Sequence, residues 1–115
     1  RTIRAAIDII EEEAHLPMTV SSLAARTHLS VRSLQFGFRD YLGVSPMTYL
    51  RQVRLRRAHE ALLESDSSSA TVASIAYHWG FTNLGRFAAA HADRYGEAPS
   101  EALRRKPIRA PRSLR

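Results

Sequence analysis

Apolar side chains recur at three- and four-residue spacing along almost the whole chain, and no stretch alternates as a strand would, so the pattern predicts an all-α fold. Ile3, Ile7, Ile10 and Ala14 make the first stripe, which ends before Pro17. Thr19 stands where it can N-cap a short helix through Thr27, its hydroxyl accepting from an N–H that the helix start leaves without a partner. Ser30 caps the next helix, with Val31, Leu34, Phe38 and Leu42 on one face and Gly43 as the stop. Pro46, favourable at a first helical position, opens a long pattern through Leu50, Val53, Ala58, Ala61 and Leu62 to about Glu64. After the polar linker Ser65-Asp66-Ser67-Ser68-Ser69, Thr71 caps another short helix. Asn83 or Thr82 caps a longer one reaching Tyr95, and Pro99 starts a last turn or two. Seven helices result.

The second half repeats the first. Thr19, Val20, Leu23, Ala24 and Leu29 recur 52 residues later as Thr71, Val72, Ile75, Ala76 and Phe81. Leu34, Leu42, Gly43, Pro46, Leu50 and Arg51 recur at an offset of 53 as Phe87, Tyr95, Gly96, Pro99, Leu103 and Arg104. One residue inserted near Thr82 accounts for the change. Each unit reads as a capped short helix, a tight turn, a capped longer helix, a Gly stop and a Pro start. A small Ala24 or Ala76 lets the two helices pack closely, and the turn between them needs a residue tolerant of positive φ. Gly80 meets that need in the second unit, and His28 takes the place in the first. This is helix-turn-helix geometry, although an ordinary αα-hairpin would carry the same pattern.

The expected organisation is a first helix-turn-helix subdomain over 1–45, a bridging helix over 46–65, a second subdomain over 66–106 and an unfolded basic tail over 107–115. A bridge of 19 residues, Pro46 to Glu64, is about 28 Å long. B-DNA turns its major groove to one side every ~34 Å, so two recognition helices on such a rod suit successive grooves.

Composition narrows the chemistry. The 115 residues fit one compact domain or two very small ones sharing a helix. The net charge of +6 points to a polyanionic partner, but residues 102–115 hold six basic groups and no acid, so 1–101 are balanced at 11 against 11. Acids crowd into Asp8, Glu11, Glu12 and Glu13, an acidic helix face expected to be solvated. There is no cysteine, which removes disulfides and thiolate chemistry and suits a cytoplasmic protein. No run approaches the ~18 apolar residues of a membrane span. The chain opens on Arg1 rather than Met, so it is expected to be a piece of a longer protein. Enzymatic chemistry finds no support. His15, His28, His59, His78 and His91 show neither metal-ligand spacing nor a carboxylate companion, and are expected at the surface or an interface. The five glycines are scattered at turns and helix ends rather than gathered in a phosphate loop. No cofactor and no metal is expected.

The same residues carry a family likeness. From about residue 3 to 106 the chain resembles the DNA-binding domain of the AraC/XylS transcription regulators. The matching positions are Leu23-Ala24, Leu29-Ser30, Leu34, Phe38, Gly43, Pro46, Tyr49, Arg54, Ala58, Leu62, Ile75-Ala76, Gly80-Phe81, Phe87, Gly96 and Pro99. The resemblance implies two helix-turn-helix subdomains, a bridging helix and promoter binding by an activator, which also needs a contact with RNA polymerase. It further implies a separate effector-binding or dimerisation domain that is absent from these residues. Two departures stand out. His91 occupies a place where the family usually has Phe, which the first unit keeps as Phe38. The second recognition helix carries Leu84, Gly85, Ala88 and Ala89 where polar base-reading side chains are usual.

With Val31, Leu34 and Phe38 facing inward, the opposite face of the first recognition helix presents Arg32, Gln35, Phe36 and Arg39. Arg32 can donate bidentately to guanine, Gln35 can pair with adenine, and Phe36 can press a thymine methyl. The family's base-contacting positions fall on the same three residues. Ser30, Arg39 and Arg51 are expected to meet phosphate. In the second unit the candidates thin to Thr82, Asn83 and Arg86, beside a Gly85 that leaves room for the strand. Arg54, near Glu60 and Glu64, is a candidate for a structural ion pair. Gly37 admits a close approach by DNA or by another helix. The expected function is therefore sequence-specific binding of double-stranded DNA, the first unit reading bases and the second gripping the backbone. The competing reading is a helical protein-interaction module with Phe36 and Trp79 as anchors, or a nonspecific polyanion binder. Trp79 is otherwise expected in the core beside Phe81.

Overall fold

Thr19 and Thr71 start their helices in the same way. The Thr19 hydroxyl accepts from the N–H of Ser22 at 3.0 Å while the Ser22 hydroxyl accepts from the N–H of Thr19 at 3.1 Å, and Thr71 and Ser74 repeat this box at 3.0 and 3.1 Å. Ser30 and Asn83 cap the longer helices by accepting from Ser33 and Arg86, which decides for Asn83 over Thr82. The computed structural model describes residues 2–105. It contains α1 (Thr2–Glu13), α2 (Val20–Arg26), α3 (Val31–Leu42), α4 (Pro46–Glu64), α5 (Val72–His78), α6 (Leu84–Tyr95) and α7 (Pro99–Arg104). No strand occurs among the described residues. The basic tail expected over 107–115 lies outside them.

The repeat in the sequence is a repeat in the backbone. Helices α2 and α5 have seven residues each, and α3 and α6 have 12 each. Between them the chain turns through a left-handed residue, His28 at φ 59° or Gly80 at φ 92°. In each turn a backbone bond closes the corner, from Leu29 N–H to the Ala24 carbonyl at 3.0 Å and from Phe81 N–H to the Ala76 carbonyl at 2.9 Å. Ala24 and Ala76 are buried, as close packing at that corner requires.

The chain divides into two compact units, Arg1–Arg54 and Leu55–Arg115, with the break inside α4. In the first, α1, α2 and α3 pack on one another. Ala6, Ile7, Ile10, Leu23, Leu34, Phe38, Leu50 and Val53 are buried there. In the second, α5, α6 and α7 pack together around Leu62, Ile75, Phe87 and Leu103. Trp79 is half-buried against this cluster rather than enclosed by it.

Three expectations are corrected. The acidic end of α1 is not simply solvated: the Tyr49 hydroxyl donates to Glu11 at 2.5 Å, and Arg26 grips Glu13 through two bonds of 2.7 and 2.8 Å. Those bonds hold the Glu13 carboxyl below its usual range. Arg54 does not reach a carboxylate. It donates from Nε to the Ala14 carbonyl at 2.7 Å and from a terminal nitrogen to that of Leu16 at 2.8 Å, so it satisfies acceptors that the end of α1 and the following turn leave open. His91 is not superficial: it is fully buried at the place of Phe38, one turn beyond Phe87.

Gly37 is explained by a helix neighbour within the first unit. A Cβ there would run into the Ile3 side chain, with Cγ1 at 2.8 Å and Cδ1 closer still.

Two tests follow from this geometry. Gly80→Ala forces an L side chain into the left-handed region and should cost the second unit about 1–2 kcal/mol, whereas His28→Gly should leave the first unit as stable or more so. Amide hydrogen exchange resolved by unit reads both, and equal losses would contradict the turn assignment. Gly37→Ala should stabilise by ~1 kcal/mol in an Ile3→Ala background, through helix propensity, and by clearly less in the native background. Thermal melts of the four-protein cycle decide, and additive effects would refute the contact.

Candidate nucleic-acid interface

Helix α3 has one buried edge and one free one. Leu34 and Phe38 are fully buried, so the 3.6-residue period turns Arg32, Ser33, Gln35, Phe36 and Arg39 outward, and all five are exposed. The helix is held at both ends, by the Ser30 cap and by Gly43, whose N–H donates to the Arg39 and Phe38 carbonyls. Its free face is thus presented on a fixed support. Phe36 is 71% exposed, more than any other large apolar side chain among the described residues. Arg32, Gln35 and Arg39 are engaged by no other described residue, so their donors and acceptors are available. Together they combine a bidentate donor, an amide that donates and accepts, an apolar ring and a second cation. Arg51 is also exposed, but on α4.

Helix α6 has the same length, cap and stop, and a different surface. Its outward residues near the start are Gly85, Arg86 and Ala89, with Thr82 and Asn83 exposed just before them. The Asn83 side chain accepts from Arg86 N–H at 2.9 Å, leaving the N–H groups of Leu84 and Gly85 at the open helix start. A Cβ on Gly85 would meet only Asn83 Oδ1, at 3.4 Å, so the surface beyond it is open. Arg86 is the one cation in the first turn of α6. The residue equivalent to Arg86 in the first unit is Ser33, not Arg32, because of the one-residue insertion.

The predicted residues therefore fall into two groups, one on each unit: Ser30, Arg32, Gln35, Phe36, Arg39 and Arg51, and Thr82, Asn83 and Arg86. All nine are exposed. Two exposed aromatics were not singled out by the sequence reading. Tyr41 is 65% exposed on α3 and borders a shallow cleft with Ile3, Arg4, Gly37 and Asp40, and Tyr77 is 55% exposed on α5. Tyr41 follows Gly37 by four positions, so helical spacing could have placed it on that cleft. No group of three side chains suited to a metal ion stands together among the described residues, and no described helix is long and apolar enough to cross a membrane.

Comparison with known proteins bears on this surface. A helix-turn-helix domain family matches residues 23–105. The probable thc operon regulatory protein of Rhodococcus erythropolis is 43% identical over 107 residues, covering 93% of this chain, and the chain spans 32% of that protein's length. A probable AraC family transcriptional regulator from Rhodopseudomonas palustris is 37% identical, with a TM-score of 0.81 over 89% of this chain and 94% of that one. The DNA-binding domain of AdpA, a global transcriptional factor solved with a target DNA, has a TM-score of 0.78 at 24% identity over 89% of each chain, a likeness of fold. These relatives are transcription regulators rather than enzymes. A shared fold alone would leave the assignment open, but fold and sequence agree over nearly the whole length of a solved relative, and the chain belongs to the AraC/XylS family of regulators as its helix-turn-helix DNA-binding domain.

Proposed function

We propose that this domain binds double-stranded DNA in a sequence-specific way at promoters, with α3 and α6 entering successive major grooves and contributing unequally. The observation that carries this reading is the free face of α3, where Arg32, Gln35 and Phe36 stand exposed and unengaged on a helix fixed at both ends. Arg32 pairs with guanine O6 and N7, Gln35 with adenine N6 and N7, and Phe36 packs on a thymine methyl. Ser30, Arg39 and Arg51 meet phosphates around them. On α6 the small outward residues Gly85 and Ala89 offer no hydrogen bonds to base edges, so Thr82, Asn83, Arg86 and the free N–H groups of the helix start hold the backbone. The duplicated helix pair, one in each unit, supports giving each unit a groove of its own. The AdpA domain, bound to its target DNA, has the same fold. In the whole protein an effector-binding or dimerisation domain would control this one, and RNA polymerase would be the second partner at the promoter.

The unequal roles are separable by titrating variants against a panel of single-base-pair changes in a bound duplex. Arg32→Ala and Gln35→Ala should each cost roughly 1–3 kcal/mol on the preferred site and relax preference at one base pair. Arg86→Ala should weaken every duplex by about the same factor and reduce the salt slope by about one. A loss confined to a few bases with Arg86→Ala would overturn the division.

A further inference from the structure

The second unit contains a polar cluster where its first-unit counterpart has only an aromatic ring. His91, fully buried at the position of Phe38, has both ring nitrogens engaged. Its Nδ1 lies 2.8 Å from the Glu97 carbonyl oxygen, and its Nε2 lies 2.9 Å from Nδ1 of His59 on α4. A carbonyl only accepts, so His91 carries its proton on Nδ1. The bare Nε2 must then accept, and His59 donates from Nδ1. The tautomers of both rings are thereby set by one backbone oxygen. The only place left for a further proton is His59 Nε2. A second extra proton, on His91 Nε2, would set N–H against N–H across 2.9 Å and break the bond.

We propose that the His59–His91 pair makes the fold of the second unit sensitive to acid in the range of about pH 5 to 7. The pair ties α4 to α6 and, through the Glu97 carbonyl, to the corner before α7 while it carries at most one extra proton. It gives way when the second arrives. This inference stands on folding and is independent of how the domain reads DNA.

The surroundings favour the neutral state. The His59 ring stacks on Tyr95 with centroids 3.6 Å apart and planes 6° from parallel. The other charged groups nearby are Glu60 on α4, Arg94 over the Tyr95 ring, and Glu97, whose carboxylate is held by Arg105 at 2.8 Å. Burial first, then His91, hold the His59 ring below the usual histidine value of 6.5, with Arg105 acting in the same direction and Glu97 and Glu60 opposing. In the unfolded chain both rings protonate near ~6.5. Below that value the unfolded state binds more protons than the folded one, so stability falls as pH falls. Each proton withheld lowers the folding constant about tenfold per pH unit. His15 and His28, the histidines of the first unit, are exposed.

Trp79 is the only tryptophan and lies in the second unit, so its fluorescence follows that unit in the whole chain. Denaturation midpoints are the quantity to read, because quenching by the His78 ring, 5.0 Å from Trp79, makes raw intensity a poor measure of folding. From pH 6 to 5 the folding constant of the second unit should fall about tenfold. In His59→Gln it should stay within about threefold of constant, because the amide can donate to neutral His91 or turn its oxygen to accept from the protonated ring. The same acid slope in both proteins would overturn the proposal. Imidazole ¹⁵N shifts of the unmodified chain at neutral pH give a second reading that does not depend on the variant folding. Both rings should be in the Nδ1–H form, and either ring in the Nε2–H form would overturn it.

Discussion

Everything this domain presents to a partner depends on a corner of about three residues between a short helix and a longer one. At that corner one residue must take a left-handed backbone conformation so that the next N–H can reach back to the carbonyl of a buried alanine. Leu29 to Ala24 and Phe81 to Ala76 make this bond at 3.0 and 2.9 Å. The bond sets the angle at which α3 and α6 leave the core, and the capping serine or asparagine one or two residues later fixes where each helix begins. Gly80 meets the conformational demand freely, whereas His28 meets it with a side chain in a region that L-residues seldom occupy. Beside it, the buried Thr27 hydroxyl donates to the Leu23 and Ala24 carbonyls at the end of α2.

The two units share a backbone and differ in what they do with it. The outward positions of α3 carry an arginine, a glutamine and a phenylalanine, and those near the start of α6 carry a glycine, an alanine and Arg86. Inside, Phe38 is an apolar filler and His91 is a hydrogen-bonded link to α4. A buried ring with both nitrogens satisfied fills the space a phenyl ring would, but it introduces a protonation state that the core must accommodate. The second unit is thus simpler on its surface and more conditional in its core.

Much of this was legible in the sequence, and for a definite reason. Helix starts and stops are set within about four residues, so Thr19, Ser30 and Thr71 as caps, Asn83 as one of two candidates, and Gly43 and Gly96 as stops could be read without tertiary information. The outward face of α3 was legible too, since burying Leu34 and Phe38 leaves the other side no choice. Links between distant residues were not. Arg54 reaches carbonyls 40 and 38 positions away, Tyr49 meets Glu11 across 38, and His59 meets His91 across 32. Charge pattern offered Arg54 two nearby carboxylates, but the open acceptors after α1 are the stronger demand on a half-buried guanidinium. Gly37 was ambiguous for the same reason, because only the fold brings Ile3 against it.

In the proposed mode of binding, a duplicated, capped helix pair reads DNA with one unit and holds it with the other. Selection from a random pool of ~25-bp duplexes near physiological salt tests this most directly. Two short boxes about one helical turn apart are expected, one with sharp base preference and the other weakly defined. Salt-sensitive binding with no base enriched at any position would contradict it, and would leave a polyanion-binding domain whose exposed Phe36 serves some other contact.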